Sequence, residues 1–424
     1  MKLTHAVLPA AALVAVLIWN FPPWRTRQTL ESSSQNLRGQ LDAARRSPTQ
    51  EIREKRQPPA AETEVARDRK PIDWRYLVAQ VRLSETNSSG VPPDEDALND
   101  FIERVAEMSR DELLTALDEI AALGLEPGIQ AQLEAAFVEP LIEKDPELAL
   151  TRFAARIHDD PDGMGSELSP ALLAWANKDL TAATAWFDQA IASGIFESKT
   201  LDGRSDSRLE FEAALASVLL ATDPAAVGRR IAALPEDQRA DTLQQINVAE
   251  LTPAAQKEII SLIRSLLPVE ERDGPFTSAF SELIPDGDYQ KSAAFLDSIQ
   301  ATPEERISAA ESAANRRLEA ISETRNLTRD DVAATREWLN RQSPETADEL
   351  IGGAMAAASQ EGGEAGFAKL AELVLEVHAS SGNDDALVAF LDGADTSSHP
   401  AQAQLLAGRI TDPQRREEML ESLK

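Results

Sequence analysis

The chain has 424 residues, no cysteine and a formal net charge of −30, with 42% hydrophobic but only 5% aromatic residues. An apolar set dominated by Ala and Leu favours closely packed helices over a β-sandwich, and the missing cysteines exclude disulfides, thiolate metal sites and a cysteine nucleophile. The charge is uneven: residues 1–90 hold 14 Lys/Arg and 9 Asp/Glu, leaving 28 and 63 for residues 91–424, a body that repels nucleic acid and favours basic partners.

Lys2 and His5 precede an apolar run from Ala6 to Trp19, followed by Asn20, Phe21, Pro22, Pro23 and Trp24. A charged start and an apolar middle are the layout of a secretory signal. No small-x-small cleavage site follows, so residues 1–24 are expected to be an uncleaved signal-anchor, with a cleaved signal peptide as the alternative. Residues 6–24 would hold the chain at a membrane, Trp19 and Trp24 serving as interfacial anchors. Arg25, Arg27 and Arg38 argue for a cytoplasmic body, whereas the signal-like position argues for an exported one, which is the expectation adopted.

Leu30, Ser34, Leu37, Leu41 and Ala44 alternate four- and three-residue steps, the seam of a short helical stalk over residues 25–45. Such a stalk is a plain helix or a weak homo-oligomerising element. Residues 46–96 are read as a mostly disordered linker, because Pro48, Pro58, Pro59 and Pro71 stand among charges with few large apolar residues. A small helix is expected near 72–83, around Trp74, Leu77, Val78 and Val81.

From residue 97 to 424 apolar residues recur at helical spacing, as in Phe101, Ile102, Val105, Met108 and in Ile259, Ile260, Ile263, Leu266. Seven dipeptides join a capping side chain to a proline: Asp145-Pro146, Ser169-Pro170, Asp223-Pro224, Thr252-Pro253, Thr302-Pro303, Ser343-Pro344 and Asp412-Pro413. A cap oxygen accepts a free N–H of the first turn, and proline beside it forfeits a bond that would not form anyway. Many short helices are therefore expected.

A degenerate unit recurs, with a cap, then small residues, then a large apolar pair. Asp179 leads to Ala182, Ala183, Trp186 and Phe187. Asp288 leads to Phe295 and Leu296, Asp331 to Trp338 and Leu339, and Asn383 to Phe390 and Leu391. Asp145 and Asp223 head weaker copies. Small residues admit a neighbouring helix and the large pair fills the space between. Starts are spaced 34, 44, 65, 43 and 52 residues apart. The 34-residue step and the small/aromatic pattern resemble tetratricopeptide-type helical hairpins, without that family's regular Trp-Leu-Gly-Tyr pattern. The resemblance implies an all-α, irregular α-solenoid of stacked hairpins with a groove for a protein or peptide partner. The layout also resembles bacterial envelope proteins that join an N-terminal anchor to Ala-rich helical repeats. An irregular all-α domain without true repeats is the alternative.

No chemistry stands out. His5, His158, His378 and His399 are far apart, and no zinc pair, P-loop, Gly-x-Ser-x-Gly or dinucleotide motif occurs. His378, near Glu372 and Glu376, reads as an exposed or capping residue. Asp159, Asp160, Asp162, Gly163 and Glu167 begin like a calcium loop but lack the later acid and contain Pro161, so a solvated turn is expected. No catalytic, cofactor or metal residue is assigned. The expected function is a non-catalytic, membrane-tethered interaction scaffold. The alternatives are an α/α enzyme cutting envelope polysaccharide through paired carboxylates and a structural protein oligomerising through its stalk.

Overall fold

A computed structural model describes residues 71–423 apart from 86–92, 160, 199–200, 202, 250 and 362. The expected anchor (1–24), stalk (25–45) and most of the linker lie outside the described residues. Within them the chain is all-helical, with 21 α-helices, one 3-10 turn and no strand. No helix among the described residues is long and apolar enough to cross a membrane. Contacts divide the chain into two units that meet in sequence at Lys144 and Asp145.

The first unit contains α1 (Trp74–Glu85), α2 (Glu95–Ala106), α3 (Arg110–Ala122), α4 (Pro127–Ala135) and α5 (Val138–Lys144). Its core is a ring cluster in which Trp74 meets Phe101 at 5.9 Å and Phe137 at 6.5 Å between centroids. The buried indole also needs a hydrogen-bond acceptor, and Trp74 Nε1 donates to Glu119 at 2.7 Å. Asp94 caps α2, and Ser109 with Glu112 forms a full capping box on α3.

The second unit begins with α6 (Pro146–Asp159), α7 (Pro161–Lys178), α8 (Leu180–Ala192), α9 (Asp206–Leu219), α10 (Pro224–Ala232) and α11 (Glu236–Gln244). It continues with α12 (Pro253–Leu266), α13 (Asp273–Leu283), α14 (Tyr289–Ser298), α15 (Pro303–Ser322) and α16 (Arg329–Gln342). The last helices are α17 (Ala347–Glu361), α18 (Gly363–Ser381), α19 (Asp385–Gly393), α20 (Pro400–Ala407) and α21 (Pro413–Ser422).

The packing alternates. From α7 to α19, every odd-numbered helix stacks on the next odd-numbered one, and the intervening helices lie against that row. Small residues allow the odd row its close spacing. A methyl on Gly165 of α7 would fall 2.0 Å from Ser207 Oγ of α9, and one on Gly352 of α17 would fall 2.2 Å from the Ala386 carbonyl of α19. On α15 the buried face is Ala309, Ala310, Ala313, Ala314 and Leu318. Of the large members of the repeating unit, Phe187, Phe295, Leu296, Trp338, Leu339, Phe390 and Leu391 are buried and fill the space behind, while Trp186 is half-buried.

Five of the seven expected caps form, at Asp145, Asp223, Thr252, Thr302 and Asp412. Two do not. Ser169-Pro170 lies inside α7, because the stripe Met164, Leu168, Leu172 runs straight through it and is buried throughout. Burying three such side chains stabilises by about 1.5–3 kcal/mol each. That outweighs the roughly 3 kcal/mol an interior proline costs. Ser343 closes α16 instead of opening α17, and its hydroxyl bonds Thr346 across the turn at 2.7 Å. Two unit starts also shift. Thr328 caps α16, with Asp331 as the third-position partner of its capping box, and Asp384 rather than Asn383 heads α19.

Candidate functional site

Two neighbours in the odd row, α13 and α15, are amphipathic in a way that leaves polar groups facing each other. On α13, Asp273, Thr277 and Ser281 fall four residues apart on one face, while Phe276, Ala279 and Phe280 are buried on the other. On α15, Ser308, Glu311, Ser312, Asn315, Arg316 and Glu319 follow three- and four-residue steps opposite the alanine face. Between them runs an open groove of about 450 Å³ lined by these nine side chains.

Hydroxyls tie its walls together. Ser308 Oγ donates to the Asp273 carboxylate, and the Ser281 and Ser312 hydroxyls share a hydrogen bond of 2.8 Å. The Asn315 amide oxygen is shielded from solvent and accepts no hydrogen bond. Glu311 makes neither a hydrogen bond nor an ion pair among the described residues. Crowding by the groove walls, and then the carboxylates of Asp273 and of Glu349 on α17, push its carboxyl above the usual range. Asp273, Glu311 and Glu349 stand 38 residues apart in sequence on three consecutive members of the odd row. Glu311 lies close enough to both Asp273 and Glu349 to feel their charge, so the three carboxylates form a ladder.

Many guanidinium groups of the second unit pair with carboxylates that are not part of the groove lining. Arg204 binds Asp206 and Asp241, Arg264 binds Glu305, and Arg336 binds Asp348, each within 2.9 Å. Arg208 and Arg230 both bind buried Glu212. Only Arg316 brings a cation to the groove lining, against three carboxylates.

A second polar centre lies at the C-terminal end. The buried Asp384 carboxylate accepts from Thr411 N (2.8 Å), Thr411 Oγ1 (2.9 Å) and Asp412 N (2.8 Å), and it pairs with His378 Nε2 at 2.8 Å. Burial alone pushes this carboxyl up. The backbone N–H groups, His378 and the Thr411 hydroxyl outweigh that and hold it well below the usual range. His378 is therefore an enclosed partner of Asp384 rather than an exposed or capping residue. Its side chain points from α18 into the tertiary contact, which three- and four-residue spacing alone does not reveal.

Asp162, Gly163 and Glu167 of the acidic stretch fall within α7, not in a loop. No group of three or more His, Asp or Glu among the described residues is arranged to hold a metal ion. His399 instead stacks on Phe367, 4.4 Å between centroids. None of the groove residues stands out in sequence taken singly. The available signal was the polar stripe of α15 set against an alanine-rich face. Comparison of the chain with protein-family models, with curated proteins and with solved structures finds no match.

Proposed function

We propose that the second unit is an irregular α-solenoid that works as a non-catalytic interaction scaffold, receiving an extended basic segment of a protein partner in the groove between α13 and α15. The observation that carries the reading is the ladder Asp273, Glu311 and Glu349, with Glu311 unpaired beside two like charges. Bringing a Lys or Arg side chain there relieves repulsion that the fold leaves uncompensated, and the acidic body steers such a partner inward. Ser281, Ser308, Ser312 and Thr277 supply donors and acceptors for its backbone.

The sequence adds a membrane tether at residues 6–24, an exported body and a stalk over 25–45 to this proposal. Sedimentation of chains with and without residues 26–45 tests the stalk, and an unchanged mass would remove it as an oligomerising element.

Titration calorimetry of the chain with Lys/Arg-rich peptides, against matched Glu-rich peptides, tests the groove. Micromolar or tighter binding of the basic set alone is expected. The Asp273→Asn/Glu311→Gln double variant should weaken it at least tenfold, and raised salt should weaken it further. Equal binding of both peptide sets, or no effect of the double variant, sinks the reading.

A second reading draws on the same pair. A carboxyl with raised proton affinity beside an ionised one is the arrangement of acid/base hydrolysis of glycosides. Release of reducing ends from envelope polysaccharide, lost in Glu311→Gln, would favour it over the scaffold.

A further inference from the structure

Asp384 occupies the N-cap position of α19 but makes no side-chain bond to its own helix. A cap of that kind usually stabilises a helix by about 1 kcal/mol. Here both carboxylate oxygens turn instead to the entry of α21, where they take the N–H groups of Thr411 and Asp412 and the Thr411 hydroxyl. Asp412 is itself the cap of α21, so one carboxylate fixes the residues that start the last helix. From α18, His378 holds the same carboxylate, and Arg415 of α21 reaches Asp385, the first residue of α19, at 2.8 Å.

Apolar attachment of α21 is slight by contrast. Met419 is its one buried residue, and its main packing partner is α20. Leu420 is half-buried, and the remaining side chains of Pro413–Ser422 are polar or exposed. An element with few buried apolar contacts opens at a lower free energy than the core it rests on. What keeps α21 in place is therefore largely polar and centred on Asp384.

We propose that α21 is a releasable helix, latched by Asp384, whose opening uncovers the face of α20 beneath it while α7–α19 stay folded. Release exposes that face of α20 and leaves the α13/α15 groove intact. The device is thus independent of what the groove binds.

Hydrogen exchange of the full chain, read by peptides across α13–α21, tests this. In the unaltered protein the amides of α21 should exchange at least tenfold faster than those of α17 and α19. Asp384→Asn keeps the shape but loses the charge. It should speed exchange in α21 by a further tenfold or more and leave α13–α17 unchanged. Thr411→Val removes one of the bonds and should give a smaller increase, again confined to α21. Protection of α21 equal to that of α17 in the unaltered protein overturns the proposal without recourse to any variant. So does an Asp384→Asn effect spread evenly over the second unit, or a Thr411→Val effect outside α21.

Discussion

Glu212 of α9 and Arg230 of α10 form a buried ion pair, Oε2 to Nε at 2.7 Å, with the Glu212 side chain only 2% exposed. Arg208 binds the same carboxylate from one turn earlier at 2.8 Å, and both guanidiniums lie over the Phe187 ring, at 5.6 and 5.2 Å from its centre. Three helices meet on this cluster, since Asp188 of α8 takes the outer edge of Arg230.

Removing one partner of such a cluster leaves uncompensated charge in a low-dielectric site, and the cost is about 3–5 kcal/mol. Glu212→Ala is expected to lower stability by that amount in urea unfolding. Glu212→Leu combined with Arg208→Met and Arg230→Met should recover much of it, because burying apolar atoms of similar volume there is close to neutral. A triple variant as unstable as the single one would show that packing, not charge, governs the site.

Adjacent glycines on α17 should respond to the same substitution with opposite signs. Gly352 faces the Ala386 backbone so closely that an added methyl would overlap it, whereas a methyl on Gly353 would meet open space. Gly352→Ala should destabilise by about 1–3 kcal/mol through overpacking. Gly353→Ala should stabilise by about 0.5–1 kcal/mol, as alanine gains over glycine in a helix. Thermal unfolding of the two variants checks both signs at once, and a stabilising Gly352→Ala would contradict the crossing described for α17 and α19.

Stability against acid depends on carboxyls shifted in opposite directions. Asp331, bound by Arg325 and Thr328, and Asp384 are both held well below the usual carboxylate range. Burial pushes Glu305 up, but Arg264 and the Thr302 N–H outweigh it and leave it lowered. Such groups bind protons more weakly folded than unfolded. Their contribution is present above about pH 4 and is lost as the pH falls below it. Glu311 is raised, so its ionisation opposes folding as the pH climbs above the ordinary glutamate value of about 4.3. Glu311→Gln should match the unaltered protein in urea unfolding at pH 4 and exceed it at pH 7. A variant less stable at pH 7 would mean that Glu311 is not crowded by like charge.

Periodicity and caps made the helices legible because both are local. Apolar residues at three- and four-residue spacing marked Ile259, Ile260 and Ile263, all buried, and Asp223, Thr252 and Thr302 cap the helices they precede. Where local signals misled, a longer-range interaction had won. At Pro170 burial of the whole α7 stripe overrides the proline.

The composition by itself determined that this chain is helical, acidic and free of thiol chemistry, since those properties follow from residue types and their spacing along one strand of chain. Only the tertiary structure decided that Asp273, Glu311 and Glu349 stand side by side, and that His378 meets Asp384. Which faces of distant helices touch depends on where small residues permit backbones to approach, and that is a property of the packed assembly rather than of any single segment.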